Sequence, residues 1–270
     1  MKVAAKSHIV KRRIDDYVWR DNTLASRRLR CVLGNHFKRF DHVAIVGGMV
    51  RDFARVGKQG FKSDIDLVID APVAEVADMA RSVNARTNVF GGHSITELGW
   101  SVDFWALEST WAIREGHVTA GGLTDFIRST FFDYDAVLYD IKSRQVLHGD
   151  SYLDGLQRKV MEVNLLPNPT IIGNLYRAIR RILLWDLSAG DRLKSFIADN
   201  LDSAGFRDVV AMDNRKSSTP FLYRYKSATE LREAVICRQY RRAMSTYYGE
   251  QLDLPGLRPV SYSSQPIVHQ

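Results

Sequence analysis

Apolar and polar positions follow two rhythms along this chain. Between residues 43 and 70 the pattern is extended: Val43, Ala44, Ile45 and Val46 form an apolar run, Gly47-Gly48 breaks it, and a short helical segment starts near Met49. The segment from Ile65 to Ile69 then resumes the extended pattern, with Ile65, Leu67 and Ile69 on one face. Further strands are predicted at 87–90, 94–98 and 101–107, punctuated by Gly91-Gly92 and Gly99. Helical spacing flanks this region. Ile14, Val18, Leu24, Leu29, Val32, Leu33 and Phe37 predict one or two amphipathic helices within 12–40, and Val73, Val76, Ala77, Ala80 and Val83 predict another.

From Asn168 onward the helical rhythm takes over. Asn168 reads as an N-cap with Pro169 at the first helical position, followed by a stripe of Ile171, Ile172, Leu175, Ile179, Ile182 and Leu183. Thr170, Asn174, Arg177 and Arg181 fall on another face of the same helix. Helices are predicted at 191–201 and 205–212, and Ser227 with Glu230 forms a capping box for a helix reaching about residue 247. These patterns predict an α+β fold: an N-terminal helical extension over 1–40, a mixed β-sheet with flanking helices over 41–165, an all-helical region over 166–250 and an irregular tail over 251–270.

Composition narrows the setting. The 270 residues are 45% hydrophobic and 26% charged, as in soluble globular proteins. No apolar run approaches the roughly 20 residues of a membrane span, and the basic N-terminus lacks the apolar core of a secretory signal. Cys31 and Cys237 stand far apart, without metal-ligand spacing, so a cytoplasmic protein is expected. The net charge of +7 favours polyanionic partners. Arg215, Lys216, Arg224 and Lys226, interleaved with Tyr223 and Tyr225, precede a segment carrying Arg232, Arg238, Arg241 and Arg242. This combination suits a nucleic-acid backbone and its bases, or a solvated helix face.

The chemistry concentrates between 43 and 103. Asp64 and Asp66, two apart on a strand, share a face and repel each other unless a cation lies between them; hard oxygen ligands suit Mg²⁺. Gly47 and Gly48 precede a helix N-terminus, where bare N–H groups cradle an anion. Asp103 lies on a strand among apolar and aromatic neighbours, a costly place for a carboxylate without a partner. The plainer alternatives are an ordinary Gly-Gly turn, a turn cap and solvated sheet edges. A phosphate cradle followed by metal-binding carboxylates is what handling a nucleoside triphosphate requires.

Gly47, Gly48, Val50, Arg51 and Asp52, followed by Asp64 and Asp66, resemble the G-G-x-V-R-D and D-x-D motifs of class II tRNA nucleotidyltransferases (CCA-adding enzymes) and bacterial poly(A) polymerases, within the DNA polymerase beta superfamily. The resemblance implies a nucleotidyltransferase head in which Asp64, Asp66 and Asp103 are catalytic and hold two Mg²⁺ ions, with Mn²⁺ as a substitute. Gly47, Gly48 and Arg51 would position phosphates, with Asp52 orienting Arg51 or its helix. The segment 125–141 is similar in part to the R-R-D-F-T-I-N-A-L-A-Y-D motif: Phe132 falls at the motif Phe and Asp135 at the motif Asn. The motif's arginines and aspartate fall on Ser129, Thr130 and Phe131, with Arg128 nearby as a substitute.

The neck motif E-D-x-x-R-x-x-R-A-x-R is matched at Arg177, Ala178 and Arg180, while its base-reading Asp and Arg become Ile171 and Asn174. The implied nucleotide-binding set is therefore Gly47, Gly48, Arg51, Asp52, Asp135, Asn174 and Arg177. His148 reads as a turn or surface residue, since phosphoryl transfer on metals needs no histidine. The implied activity moves a nucleoside monophosphate from an NTP to an acceptor hydroxyl, foremost an RNA 3′ end, with pyrophosphate release. Transfer to a protein, a small molecule or a second nucleotide, as in toxin and phage-defence branches, and a non-catalytic RNA-binding module are the alternatives.

Overall fold

The computed structural model describes residues 2–61, 63–88 and 91–237. Helices α1 (Ser7–Asp15) and α2 (Leu24–Val32) open the chain, each running on into a wider π turn, Asp16–Arg20 and Leu33–Phe37. The helical region begins earlier than residue 12 because Val10, Ile14 and Val18, four apart, are all buried on one side. Next come β1 (Val43–Val46), α3 (Gly48–Arg55), β2 (Ile65–Ile69), α4 (Val73–Ser82), β3 (Arg86–Thr87), β4 (His93–Glu97) and β5 (Trp100–Ala106). The strand expected at 87–90 is the pair Arg86–Thr87, and Val89 and Phe90 lie outside the described residues. The chain continues through α5 (Trp111–Arg114), α6 (Phe126–Ser129), β6 (Val137–Asp140), β7 (Gln145–His148), α7 (Tyr152–Arg158) and β8 (Val160–Met161). Then follow α8 (Ile171–Trp185), β9 (Ser188–Ala189), α9 (Asp191–Asn200), α10 (Ser203–Lys216) and α11 (Ala228–Ile236).

Among the described residues the main sheet has seven strands in the order β3-β4-β5-β2-β1-β6-β7. β2 and β5 are parallel and every other neighbouring pair is antiparallel, so this is the mixed sheet with flanking helices expected from the sequence. Its pleat sorts the residues. Val43, Ile45, Ile65, Leu67, Ile69, Val102 and Phe104 enter the large core with Met49, Val50 and Phe53 of α3. Ala44, Val46, Val68 and Leu138 face the other way, into a small cluster closed by Leu107 and Leu123. Asp66, Asp103 and Trp105 alternate onto this second, thinly covered face.

The first two helices belong to the same large core, through Val10, Ile14, Val18, Leu29, Val32 and Phe37. Full burial of each such side chain stabilises by about 1.5–3 kcal/mol. A polar relay fixes their docking: Trp19 Nε1 donates to Tyr139 Oη at 2.8 Å, and Tyr139 Oη donates to buried Asp15 at 2.6 Å. Arg13 donates to the carbonyls of Phe53 (2.8 Å) and Ala54 (3.2 Å), closing the C-terminal end of α3.

In the helical region the caps differ from expectation. Thr170, not Asn168, caps α8: its hydroxyl accepts the Gly173 N–H at 3.1 Å, while Asn168 Oδ1 accepts the Thr170 N–H one turn upstream, leaving Pro169 before the helix. Leu175, Ala178, Ile179 and Ile182 form its buried face, whereas Ile171 is 50% exposed. α10 is longer at both ends than the expected 205–212, because Asp202 caps it through the N–H groups of Ala204 and Gly205. Ser227 Oγ accepts the Glu230 N–H, but Glu230 reaches back to the Lys226 N–H at 2.7 Å, so the box closes one residue early. Arg238, Arg241, Arg242, the rest of that expected helix and the 251–270 tail lie outside the described residues. Among the described residues no helix is long and apolar enough to cross a membrane.

Candidate active site

The parallel pairing of β2 with β5 sets Asp66 directly opposite Asp103. Cross-strand partners share a face, so two carboxylates meet on the thin side of the sheet. The Asp66 carboxyl is pushed up to about 7, first by burial and then by the charge of Asp103; a hydrogen bond from the Gly48 N–H and the charge of Arg51 oppose this. Arg51 does not offset burial and the neighbouring carboxylate, and the oxygen donors of the pair fit a hard divalent cation. Asp64 stands apart. It precedes the first residue of β2, outside the strand register, and is exposed. Among the described residues no group of three or more His, Cys, Asp or Glu side chains is arranged to hold a metal, so the three aspartates are not assembled as one ligand set.

The Gly47–Gly48 turn closes over Asp66. Gly47 has φ +63°, and a Cβ built there would lie 2.9 Å from Asp66 Oδ2, so only glycine permits both the turn and the approach of the carboxylate. Gly48 then starts α3: its N–H bonds to Asp66, and the N–H groups that follow in the first turn have no acceptor within the helix.

Beyond the turn lies a buried cluster of arginines around one carboxylate. Arg51 donates to Asp135 Oδ1 at 2.8 Å and to Asp52 Oδ1 at 3.1 Å. Arg181 of α8 holds Asp135 in a two-pronged pair at 2.7 and 3.2 Å. Burial alone would raise Asp135, but Arg181 and Arg51 outweigh it and hold the carboxyl well below the usual range. Burial lowers Arg181 to about 10 against the pull of Asp135. For Arg51 burial also acts against the charge, yet Asp135 and Asp52 prevail and its pKa is raised. The cluster rests on aromatic faces: Arg55, Arg51 and Arg181 lie 4.1, 5.2 and 5.4 Å from the Trp185 ring, and Arg181 also lies 4.9 Å from Phe132.

Several of these parts line a cleft of about 370 Å³ between the sheet and α8. Gly47, Gly48, Arg51, Asp66, Asp135, Asn174 and Arg177, all singled out from the sequence, line it; Asp52 lies behind Arg51, and Asp64 and Asp103 are not in its wall. Asn174 is 1% exposed; its Oδ1 accepts from Arg177, and its Nδ2 has no hydrogen-bond partner among the described residues. Arg128 does not take the place of the missing motif arginines, since it pairs with Asp125 outside the cleft. Arg180 likewise turns away, to Asp213 in α10. His148 holds Ser7 Oγ at 2.8 Å and the Gly149 carbonyl, a structural part.

The sequence reading did not single out Arg181, Trp185, Trp105 or Trp111 as parts of a site. Spacing places Arg181 on the face of Asn174 and Arg177, but its partner lies 46 residues away in the chain. Trp105 carried a usable signal, two residues after Asp103 and hence on the same face of β5.

No protein-family model and no curated protein matches the chain. Among solved structures it resembles a Bacillus stearothermophilus CCA-adding enzyme in complex with CTP, with a TM-score of 0.50 and 14% identity over 75% of this chain and 51% of that one. Others are a CCA-adding enzyme with ATP (TM-score 0.47, 18% identity, 88% of this chain and 53% of that one) and a tRNA-processing enzyme with CTP (TM-score 0.45, 19% identity, 80% and 56%). The chain thus spans just over half the length of these proteins. At such identities the likeness is one of fold: the chain has a nucleotidyltransferase-like fold.

Proposed function

We propose that this cleft transfers a nucleoside monophosphate from an NTP to an acceptor hydroxyl, with an RNA 3′ end as the acceptor. The observation that carries the reading is the Asp66–Asp103 pair, set in register beneath a glycine turn whose N–H groups open a helix, beside buried arginines. In this reading Asp66 and Asp103 would hold Mg²⁺, while Asp64, exposed and outside the cleft wall, is not needed as a ligand. The metal would supply charge neutralisation for the triphosphate and a more acidic acceptor hydroxyl. Gly47, Gly48 and Arg51 hold the phosphates, and Arg177 and Arg181 add positive charge at the same end. The acceptor hydroxyl gives its proton up to solvent, its oxygen bonds to the α-phosphorus, the bond to the bridging oxygen breaks, and pyrophosphate leaves. The Asn174 amide and Arg177 offer donors to the base edge, while Ile171 offers none.

The test incubates purified protein with each labelled NTP and Mg²⁺, with either total RNA or a protein extract. Label in RNA that is abolished by chelation and by Asp66→Ala supports the reading; label only in protein assigns a different acceptor, and no label in any arm overturns it.

A further inference from the structure

Strand order lays the cleft out in a line. Trp105 lies on β5, Asp66 on β2, the Gly47–Gly48 turn follows β1 and Asp135 precedes β6. Neighbouring strands are about 4.8 Å apart, so the three steps from β5 to β6 span about 14 Å, with the carboxylates toward the β5 side. Apart from Asp66, the charged lining residues, Arg51, Asp135, Arg177 and Arg181, gather at the β6 and α8 end. The β5 end is different in kind: Trp105, Ser109, Thr110, Trp111, Ala112 and Phe126 line it, without a charge among them.

Both tryptophans are held there by specific neighbours. The Trp111 ring is braced by His117, centroids 5.0 Å apart and planes at 38°. Trp105 lies over Gly92, where any added Cβ would collide with the indole nitrogen. Each remains partly exposed. A triphosphate is drawn to the basic end by charge, which leaves the aromatic, hydroxyl-bearing end to the second substrate.

We infer that Trp105 and Trp111 form a stacking seat for a planar heteroaromatic ring, the terminal nucleobase of the acceptor. This rests on the transfer reading for its assignment to the acceptor, but the seat itself is a binding site and is testable without turnover. A stacked ring at the β5 end puts the sugar that bears it beside Asp66 and Asp103, where its hydroxyl meets the phosphate held at the other end. Stacking tolerates any base, since every base has a π-face, and the Thr110 hydroxyl is already committed to the Leu107 carbonyl at 2.7 Å.

The experiment compares binding of two short, labelled RNAs that differ only in whether the 3′-terminal ribose carries a base, using fluorescence anisotropy with Ca²⁺ in place of Mg²⁺. Wild type should prefer the base-bearing end by at least about fivefold, the lower end of base–aromatic stacking. Trp111→Leu should erase that preference while leaving affinity for the abasic RNA and for inorganic triphosphate unchanged, and Trp111→Phe should restore much of it. Trp105→Phe, chosen because Trp105 also packs on the small cluster, should weaken the preference. Equal preference in wild type and Trp111→Leu, or no preference in wild type, overturns the seat. So does a loss on Trp111→Leu that falls on NTP relative to inorganic triphosphate, which would give the seat to the incoming base. Absence of pyrophosphate release with the preference intact removes the transfer reading and leaves the seat standing.

Discussion

Replacing Asp135 by asparagine removes the carboxylate that Arg51 and Arg181 share, at a point where all three side chains are only 11–15% exposed. Breaking a buried ion pair from one side costs about 3–5 kcal/mol, because the remaining charge keeps its desolvation penalty and loses its partner. Arg51 retains Asp52 at 3.1 Å, so the cost falls mainly on Arg181, and the lower end, about 3 kcal/mol, is expected. For a chain of this size that lowers Tm by about 6–12 °C. Asp135 is held below the usual carboxylate range in the folded state. Its contribution is therefore present above the unfolded-state value of about 3.9 and is lost only as pH falls through the lower folded value. The gap between wild type and Asp135→Asn should be full at pH 7 and narrow only in strong acid. Thermal melts at both pH values measure it. Arg181→Met added to Asp135→Asn should recover part of the loss, since it removes the stranded guanidinium. A shift under about 1 kcal/mol for Asp135→Asn, or a double variant whose losses simply add, would refute the account of this cluster.

Asp66→Asn and Asp103→Asn should each abolish nucleotidyl transfer while leaving the protein folded, and wild-type turnover by either folded variant would remove that residue from the mechanism. Asp66 is raised to about 7 in the fold, so its ionisation opposes folding increasingly as pH rises from about 4 to 7; Asp66→Asn should raise Tm at pH 8 without Mg²⁺ and leave it little changed at pH 4. Gly47→Ala should lose about 1–3 kcal/mol of stability and most activity, because φ +63° is strained for alanine and its Cβ would press on Asp66; a silent substitution would contradict the closed turn. End sequencing of RNA treated with all four NTPs should show one preferred nucleotide or weak selectivity, since each unmatched hydrogen bond forfeits about 1–3 kcal/mol; faithful C-C-A addition would show that α8 is not the base-reading element. RNA affinity should fall as salt rises, and a constant unchanged between low and moderate salt would favour a protein or small-molecule acceptor.

Local rules were enough for much of this. The period-two run Ile65, Leu67, Ile69 placed Asp66 on the opposite face, Gly47-Gly48 marked a turn before a helix, and the spacing of Asn174, Arg177 and Arg181 put them on one side of α8, because each signal depends on residues a few positions apart. Local rules also misjudged several details: Thr170 outcompetes Asn168 as a cap, and Arg128 finds Asp125 three residues away before it can serve the cleft.

Which strands became neighbours was decided only in three dimensions. The order β5-β2-β1-β6 sets Asp66 opposite Asp103, leaves Asp64 outside the register and puts Trp105 at the far end of the cleft from Asp135. The Asp135–Arg181 pair spans 46 residues and exists because α8 packs its Leu175–Ile182 face onto the core, which sets the flanking face with Asn174, Arg177 and Arg181 along the cleft. Sequence periodicity tells a side chain which way to point relative to its own element. The partner it meets is set by how the elements bury their apolar faces together, a long-range solution that no local pattern contains.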